Sequence, residues 1–300
     1  MVSSEYSAWD VPPGFLGPRA GGPAARRLAL GSQLRRLRES RGIPVGQAAD
    51  AIRGSHSKIS RMEHGRVGFK ERDVGDLLAL YGATDAEERA ALLNLAREAS
   101  TPGWWQAFSD ILPSWLEPYV GLEAAALVIR TYQVQFVPGL LQTEEYARAL
   151  IRWGSAAGEE EIARRAGLRV SRQDILRGPH PPQLWAVLDE GALHRPVGGR
   201  DVARGQLRHL IEMAGHPAVT LQILPFSAGA HPAMGGPFTI LRFAEPDLTD
   251  IVYIEQLTSA LYLGKPSDAD SYHEVMEQLR LQAEPAGSTV KILGDILAGT

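Results

Sequence analysis

The chain has 300 residues, of which 44% are hydrophobic and 22% are charged, and its formal net charge at pH 7 is −4. This composition is that of an ordinary globular protein, and it excludes collagen-like, largely disordered and membrane-embedded chains. Because the sequence contains no cysteine, disulfides, thiolate nucleophiles and cysteine-ligated metals are excluded as well. No segment approaches the roughly 18 uncharged apolar residues of a membrane-spanning helix, and the N-terminus lacks the features of a signal peptide, so we expect a cytoplasmic protein.

Proline, glycine and hydrophobic periodicity divide the chain into three parts. Residues 1–25 contain four prolines and four glycines, which disfavour a helix and predict a flexible leader. Residues 26–100 repeat apolar residues at helical spacing and predict about five short helices. Residues 101–300 predict a mixed α/β (α+β) domain, because helical periods there alternate with short apolar runs. The predicted strands are 127–132, 184–188, 219–224, 238–243 and 251–254, and the predicted helices are 143–153, 159–176, 201–214, 268–282 and 288–297.

Positive charge is concentrated near the amino end. Residues 26–76 contain twelve arginines and lysines and six acidic residues, a net charge of +6, so the rest of the chain carries −10. A polyanion is attracted to the first part and repelled by the second, as expected of a protein that contacts nucleic acid with one domain. A basic face that is simply solvated would give the same count, so the motifs within this segment decide between the two interpretations.

Residues 45–64 have the spacing of a helix-turn-helix unit. A helix over 45–52 is followed by a turn at Arg53 and Gly54 and then by a second helix over 55–64. In DNA-binding proteins of this kind, the second helix enters the major groove and its N-terminal side chains reach the base edges. The spacing therefore predicts that residues 55–64 form a recognition helix.

The same segment resembles a known family. The stretches LRRLRESRG and SHSKISRMEHG are similar to the first helix and the recognition helix of the xenobiotic-response-element (XRE) family of helix-turn-helix regulators, which have the fold of the lambdoid phage repressors. The resemblance implies an all-α, five-helix, lambda-repressor-like DNA-binding domain. It implies that base edges are contacted by His56, Ser57 and Arg61, and that phosphates are contacted by Ser55, Lys58 and His64. It also implies a structural brace between Arg38 and Glu63.

One position departs from the family pattern. Val45 stands where the family often has a glutamine that touches a phosphate, and a valine side chain cannot donate a hydrogen bond. We therefore expect more of the nonspecific affinity to come from Arg66, Lys70, and the neighbours Arg35 and Arg36. An alternative interpretation is that the helical bundle binds a protein instead of DNA.

The C-terminal part carries a second resemblance, over residues 102–297. Stretches such as WWQAFSD, LDEGALHRPVGG and VYIEQLTSALYL resemble the C-terminal domain of unknown function that accompanies this DNA-binding domain in a large family of actinomycete regulators. The resemblance implies a bacterial transcription regulator, often encoded beside a small partner protein. We expect the pair Trp104 and Trp105 to lie in an interdomain core rather than to stack on bases.

Sequence signatures of common enzymes are missing. No two glycines have G-x-G spacing, the phosphate-binding loop and the G-x-S-x-G motif are absent, and the eight histidines include no H-E-x-x-H motif. We therefore expect neither a cofactor nor a metal ion.

A candidate ligand pocket is nevertheless predicted in the C-terminal domain. Glu255 follows an apolar run that contains Tyr253, and a carboxylate beside an aromatic side chain at a strand end is typical of a pocket. We add His231, from a glycine-rich loop, and Arg130 to this candidate pocket. The alternative is that the loop is an ordinary surface loop and that these carboxylates have structural roles. In that case Asp189, Glu190 and Glu255 cap helices or form ion pairs with Arg130, Arg172 and Arg195.

These observations predict a transcription regulator that binds double-stranded DNA as a homodimer, since symmetric operators require two copies. A small-molecule effector or a small partner protein on the C-terminal domain would change the arrangement of the two recognition helices. Two alternatives stay open. One is an enzyme similar to ADP-ribosyltransferases, with Glu255 in its active site, that the DNA-binding domain localises. The other is an antitoxin-like scaffold whose acidic domain sequesters a basic partner.

Overall fold

The computed structural model describes residues 23–101, 103–154, 157–244 and 248–300. Five helices form the N-terminal domain within this part of the chain, so the predicted all-α fold is confirmed. They are α1 (Pro23–Ser40), α2 (Val45–Ala51), α3 (His56–Glu63), α4 (Glu71–Leu80) and α5 (Ala86–Ala99).

The first helix begins three residues before the predicted domain boundary. Proline is tolerated in the first turn of a helix, where its missing N–H group has no partner to lose, and alanine is the best helix former. Helix α1 accordingly starts at Pro23, and Ala24 and Ala25 are buried. The remainder of the predicted flexible leader, residues 1–22, lies outside the described residues.

Apolar residues at helical spacing build the core of the N-terminal domain. Leu34 of α1, Ile59 and Met62 of α3 and Leu77 of α4 are each at most 1% exposed. Helix α1 crosses α3 closely at Gly31, where a Cβ atom would lie 2.4 Å from the carbonyl oxygen of Met62. The absence of a side chain at position 31 therefore sets the distance between the first helix and α3.

The C-terminal domain is the mixed α/β fold that the sequence predicts. Its described strands are β1 (Val128–Gln133), β2 (Gln183–Asp189), β3 (Val219–Leu224), β4 (Phe238–Arg242), β5 (Ile251–Glu255) and β6 (Ala260–Leu263). Its described helices are α6 (Leu116–Ala125), α7 (Glu144–Gly154), α8 (Glu159–Arg172), α9 (Asp174–Arg177), α10 (Glu190–His194), α11 (Arg200–Met213), α12 (Pro266–Gln282) and α13 (Thr289–Gly299).

The six strands form one sheet in the order β3-β2-β1-β4-β5-β6. Strands β1, β2 and β3 are parallel, whereas β4, β5 and β6 are antiparallel to their neighbours. Side chains alternate between the two faces of the sheet. Ile129 of β1 packs with α6, α8 and α11 on one face, and Tyr132 packs with α12 on the other. The sheet therefore separates two apolar cores.

Four features of the C-terminal domain differ from the sequence prediction. Helices α6 and α10 and the edge strand β6 are not among the predicted elements, and the helix predicted over residues 159–176 is divided into α8 and α9 at Gln173. Helix α6 contains Pro118 and Gly121, which usually interrupt helices, but here Pro118 lies in the first turn. Gly121 gives room to Trp105, whose ring would lie 2.9 Å from a Cβ atom at that position.

The two domains are packed together along α1. Ala24, Ala25 and Leu28 of α1 belong to the same apolar core as Trp105 and the residues of α6. Trp105 is 3% exposed, whereas Trp104 is 40% exposed and contacts the Trp105 ring edge-on, with 6.1 Å between centroids. One indole of the pair thus lies between the domains. Within the described residues, none of the helices has the length and apolarity that crossing a membrane requires.

Candidate functional site

Helix α3 presents a buried face to its own domain and an exposed face to solvent. Ile59 and Met62 are buried, whereas His56, Ser57 and Arg61 are exposed. The helix is capped by Ser55, whose Oγ accepts a hydrogen bond from the backbone N–H of Lys58 at 3.1 Å. The three residues predicted to contact base edges therefore share one accessible face.

Arg61 and His56 have different surroundings on this face. Arg61 Nε donates to the carbonyl oxygen of Ser57 at 3.3 Å, one turn back on the same helix. Its terminal guanidinium nitrogens form no hydrogen bond within the described residues, so they are accessible to a ligand. The His56 ring lies over α2, because Gly46 has no side chain there; a Cβ atom at Gly46 would lie 3.0 Å from His56 Nε2.

The basic residues predicted to contact phosphate are not equally available. Lys58 Nζ forms an ion pair with Asp73 at 2.6 Å, and Arg35 Nε forms one with Glu39 at 2.8 Å. Both side chains can contact a phosphate only if they share or exchange these partners. Lys70, just before α4, is exposed and has no ion pair in the part of the chain that the structure describes.

Two further residues of this set have partners within α1 and α3. Arg36 donates to the side-chain oxygen of Gln33. The His64 ring nitrogen Nδ1 lies 2.6 Å from the carbonyl oxygen of Ser60, one turn back in α3. Ser55 Oγ accepts the capping hydrogen bond, but its O–H can still donate to an anion, as can the backbone N–H at the N-terminus of α3.

Arg38 and Glu63 form a buried ion pair between α1 and the end of α3. Arg38 Nε donates to Glu63 Oε1 at 2.6 Å and Nη2 donates to Oε2 at 2.9 Å, while Nη1 donates to the carbonyl oxygen of Ile43 at 3.0 Å. The hydrogen bond with Glu63 raises the pKa of Arg38. This geometry holds α3 at a fixed orientation to α1.

Arg66 contacts the C-terminal domain. Its Nη2 atom donates to the carbonyl oxygen of Tyr262 at 2.8 Å, and its guanidinium carbon lies 5.2 Å from the centroid of the Tyr262 ring. Burial lowers the pKa of Arg66. Arg35, His64 and Arg66 also line a small cavity of about 80 Å³ between the domains, with Leu248 and Tyr262 on its other side. Three of the residues predicted to contact phosphate therefore lie beside the domain interface.

A larger cavity, of about 620 Å³, lies on the face of the sheet covered by α6 and α8. Tyr253 and Glu255, two of the four residues of the predicted pocket, line it. Thr131 and Thr239, on neighbouring strands, also line it, and their hydroxyl oxygens are 2.9 Å apart. We call this cavity the sheet cavity.

The other two residues of the predicted pocket lie on the opposite face of the sheet. Arg130 alternates with Thr131 along β1, and its guanidinium carbon lies 5.7 Å from the Trp185 ring centroid. Burial lowers the pKa of Arg130 to about 10. His231 Nε2 lies 3.3 Å from the hydroxyl of Tyr132, which is also on that face. The structure therefore does not bring the four predicted residues into one pocket, because adjacent residues of a strand point to opposite faces.

Of the carboxylates predicted to cap helices or to form ion pairs, Asp189 caps a helix. Its Oδ1 atom accepts a hydrogen bond from the backbone N–H of Gly191 at 2.8 Å, at the start of α10. Glu190 accepts from the backbone N–H of Phe226 at 2.8 Å. In the described residues, no group of three or more histidine, aspartate or glutamate side chains is arranged to bind a metal ion.

The sheet cavity has a charged wall that sequence reasoning missed. Arg172 of α8 donates two hydrogen bonds, both at 2.7 Å, to the carboxylate of Glu123 in α6. Glu123 is 2% exposed. A glutamate in the apolar stretch YVGLEAA is a signal that could have been used, because a buried carboxylate requires a cationic partner. Arg169, one turn before Arg172, also lines the cavity.

Aromatic contacts lead from the sheet cavity to the N-terminal domain. Tyr119 and Tyr253 stack with 4.1 Å between ring centroids, and Tyr253 and Tyr262 are 5.2 Å apart. The Tyr253 hydroxyl is buried without a hydrogen-bond partner in the described residues, and burial together with the Glu255 carboxylate raises its pKa. Since Tyr262 contacts Arg66, the three tyrosines connect the cavity to a residue that follows α3.

Comparison with known protein families assigns both domains. A helix-turn-helix domain model matches residues 29–92, and a model described as a domain of unknown function, DUF5753, matches residues 116–295. No curated protein and no solved structure matches the chain. The expected resemblance to a helix-turn-helix regulator with a C-terminal domain of unknown function is confirmed, and the first match indicates DNA binding. Since the second match covers more than half of its length, the chain belongs to the DUF5753 family and carries an N-terminal helix-turn-helix domain.

Proposed function

We propose that the chain is a sequence-specific DNA-binding transcription regulator whose C-terminal domain tunes operator binding. The observation that carries the proposal is the exposed face of α3, where His56, Ser57 and Arg61 lie together on a domain with a net positive charge. A helix presented in this way enters the major groove, and an arginine can donate two hydrogen bonds to a guanine.

The proposal includes a homodimer. A single helix-turn-helix domain buries little DNA surface, and two copies of one domain read a two-fold symmetric operator. We therefore expect the protected DNA to contain two half-sites about 34–36 Å apart, or a multiple of that spacing.

Substitution of Arg61 by alanine is expected to relax specificity at one base pair of each half-site, by roughly 5- to 150-fold in relative affinity, because it removes one base contact. Substitution of Lys70 by alanine is expected to weaken binding to all sequences alike and to reduce the salt slope by about 1. Operators are first selected from random duplexes with the wild-type chain, and affinities are then measured by fluorescence anisotropy at several salt concentrations.

Arg208→Ala is the matched control for these two variants, because Arg208 is an exposed arginine of α11 in the C-terminal domain. It should change neither the base preference nor the salt slope. Affinity of the wild-type chain that does not depend on salt would contradict DNA binding through this domain. An unchanged base preference in Arg61→Ala would remove Arg61 from the base-contacting residues.

We further propose that the C-terminal domain acts on DNA binding through Arg66. In the arrangement described above, a guanidinium expected to contact phosphate donates instead to the Tyr262 carbonyl. A second domain arrangement, in which Arg66 is released from Tyr262, would gain a phosphate contact. A ligand that favours one of the two arrangements shifts the equilibrium between them.

Tyr262→Ala is expected to strengthen DNA binding several-fold at low salt and to steepen the salt slope by up to about 1, because it removes the ring over Arg66 and leaves only the backbone carbonyl of position 262 to hold the guanidinium. In the Arg66→Ala background, the same substitution should have no effect on DNA affinity. Leu261→Ala, at an exposed neighbouring position of β6, serves as the control. Equal effects of Tyr262→Ala with and without Arg66 would show that Arg66 does not carry the regulation.

A further inference from the structure

The sheet cavity has the size and lining of a small-molecule site. Its volume of about 620 Å³ falls within the roughly 300–1,000 Å³ of sites that bind organic ligands of moderate size. Its apolar lining includes the aromatic rings of Tyr119, Phe136 and Tyr253. A ligand that fills the cavity therefore has an apolar body that can pack against these rings.

Not every charged residue of the cavity lining has an ion-pair partner. Glu123 and Arg172 satisfy each other through two hydrogen bonds. Arg169 makes one hydrogen bond, from Nη1 to the side-chain oxygen of Gln142 at 3.1 Å, and no ion pair within 4 Å in the described residues. Glu255, the remaining charged residue of the lining, is exposed. Arg169 thus lines the cavity without a carboxylate within ion-pair distance, although the Glu255 carboxylate attracts it from further away.

The environment of Arg169 favours an incoming anion. Burial, and next the positive charge of Arg172, lower the pKa of Arg169 to about 10, and the Glu255 carboxylate opposes this shift only in part. A carboxylate or a similar anionic group would stabilise the charged guanidinium, and the planar fork of arginine binds such groups through two parallel hydrogen bonds. The Glu255 carboxylate would repel a second anionic group near it.

We infer that the sheet cavity binds an organic acid with an apolar, preferably aromatic, body and a single anionic group, and that Arg169 binds the anionic group. The inference rests on the proposed function, because this acid would be the effector that changes DNA binding. Its apolar body would touch Tyr119 and Tyr253, the first two rings of the contact series that leads to Tyr262 and Arg66.

Two fluorescent probes that differ in one anionic group test this inference. Dansylglycine has an aromatic body and a carboxylate, whereas dansylamide has the same aromatic body without a charge. We expect the full-length wild-type chain to bind dansylglycine about tenfold or more tightly than dansylamide, which is the effect of one charge-assisted contact. In Arg169→Gln, the two probes should bind with equal affinity. Fluorescence titration measures both dissociation constants.

Arg165→Gln is the control, because Arg165 lies one turn before Arg169 on α8, does not line the cavity and pairs with Glu161; it should keep the preference for dansylglycine. Circular dichroism checks that each variant is folded, and Arg169→Lys, which keeps the charge but loses the fork, should show an intermediate preference. Equal affinity of the wild-type chain for both probes, no binding of either, or an unchanged preference in Arg169→Gln would overturn the inference. DNA titration of the wild-type chain without probe tests the proposed function separately.

Discussion

Replacement of Arg38 by alanine is expected to lower the free energy of unfolding of the N-terminal domain by about 3–5 kcal/mol. The substitution leaves the Glu63 carboxylate, whose side chain is 6% exposed, without its cationic partner in an apolar environment. A buried charge without a partner costs much more than the pair itself contributes, because the desolvation of the carboxylate is no longer compensated. Urea denaturation followed by circular dichroism measures the loss, and amide hydrogen exchange assigns it to the N-terminal domain.

Two variants make the Arg38 experiment specific. Arg35→Ala removes a partner of an exposed ion pair on the same helix, with side chains 42% and 51% exposed, so it should cost less than about 1 kcal/mol. The double substitution Arg38→Met and Glu63→Leu removes both charges and should recover most of the lost stability. If Arg35→Ala and Arg38→Ala cost the same, the buried pair would not brace α3 against α1.

The brace also connects stability to the proposed function. The Glu63 side chain comes from the last residue of α3, and Arg38 lies near the end of α1. Gly31 places the two helix backbones in close contact on the same side. The exposed face of α3 can meet the DNA major groove in one orientation only if these contacts hold the helix, so we place Arg38 among the positioning residues and not among those that touch DNA.

Local patterns were enough to predict the N-terminal domain. The helix-turn-helix spacing depends on about twenty consecutive residues, and the observed α2 (Val45–Ala51) and α3 (His56–Glu63) lie within one residue of the predicted bounds. Strand β3 has its predicted bounds, Val219–Leu224, because four of its six residues are buried and apolar. By contrast, the edge strand β6 has four residues and none is fully buried, so its sequence carries no clear alternation.

The sheet cavity could not be predicted in the same way, because its residues are far apart in sequence. Glu123 and Arg172 are separated by 49 positions, and nothing in the intervening sequence indicates that they meet. The predicted grouping of Arg130 with Glu255 failed to form for a different reason. Whether two strands contribute to the same face depends on register, and here Thr131, not Arg130, is in line with Thr239 and Tyr253.

Replacement of Arg172 by alanine is expected to lower the free energy of unfolding of the C-terminal domain, also by about 3–5 kcal/mol. The side chain of Glu123 is 2% exposed, and both of its oxygens accept from Arg172. The substitution also removes the guanidinium from above the Tyr119 ring, whose centroid lies 5.3 Å away. Urea denaturation with hydrogen exchange of α6 and α8 measures this loss.

The control for Arg172→Ala is Arg177→Ala, five residues further along. Arg177 forms an ion pair with Asp174, and the two side chains are 64% and 72% exposed, so its removal should change stability by less than about 1 kcal/mol.

Because Arg172 and Arg38 lie against separate apolar cores and share no partner, the double alanine variant should lose the sum of the two single losses within about 0.5 kcal/mol. A larger deviation would show that the stabilities of the two domains are coupled, and we would then assign the coupling to the contact of Tyr253 with Tyr262 and that of Tyr262 with Arg66.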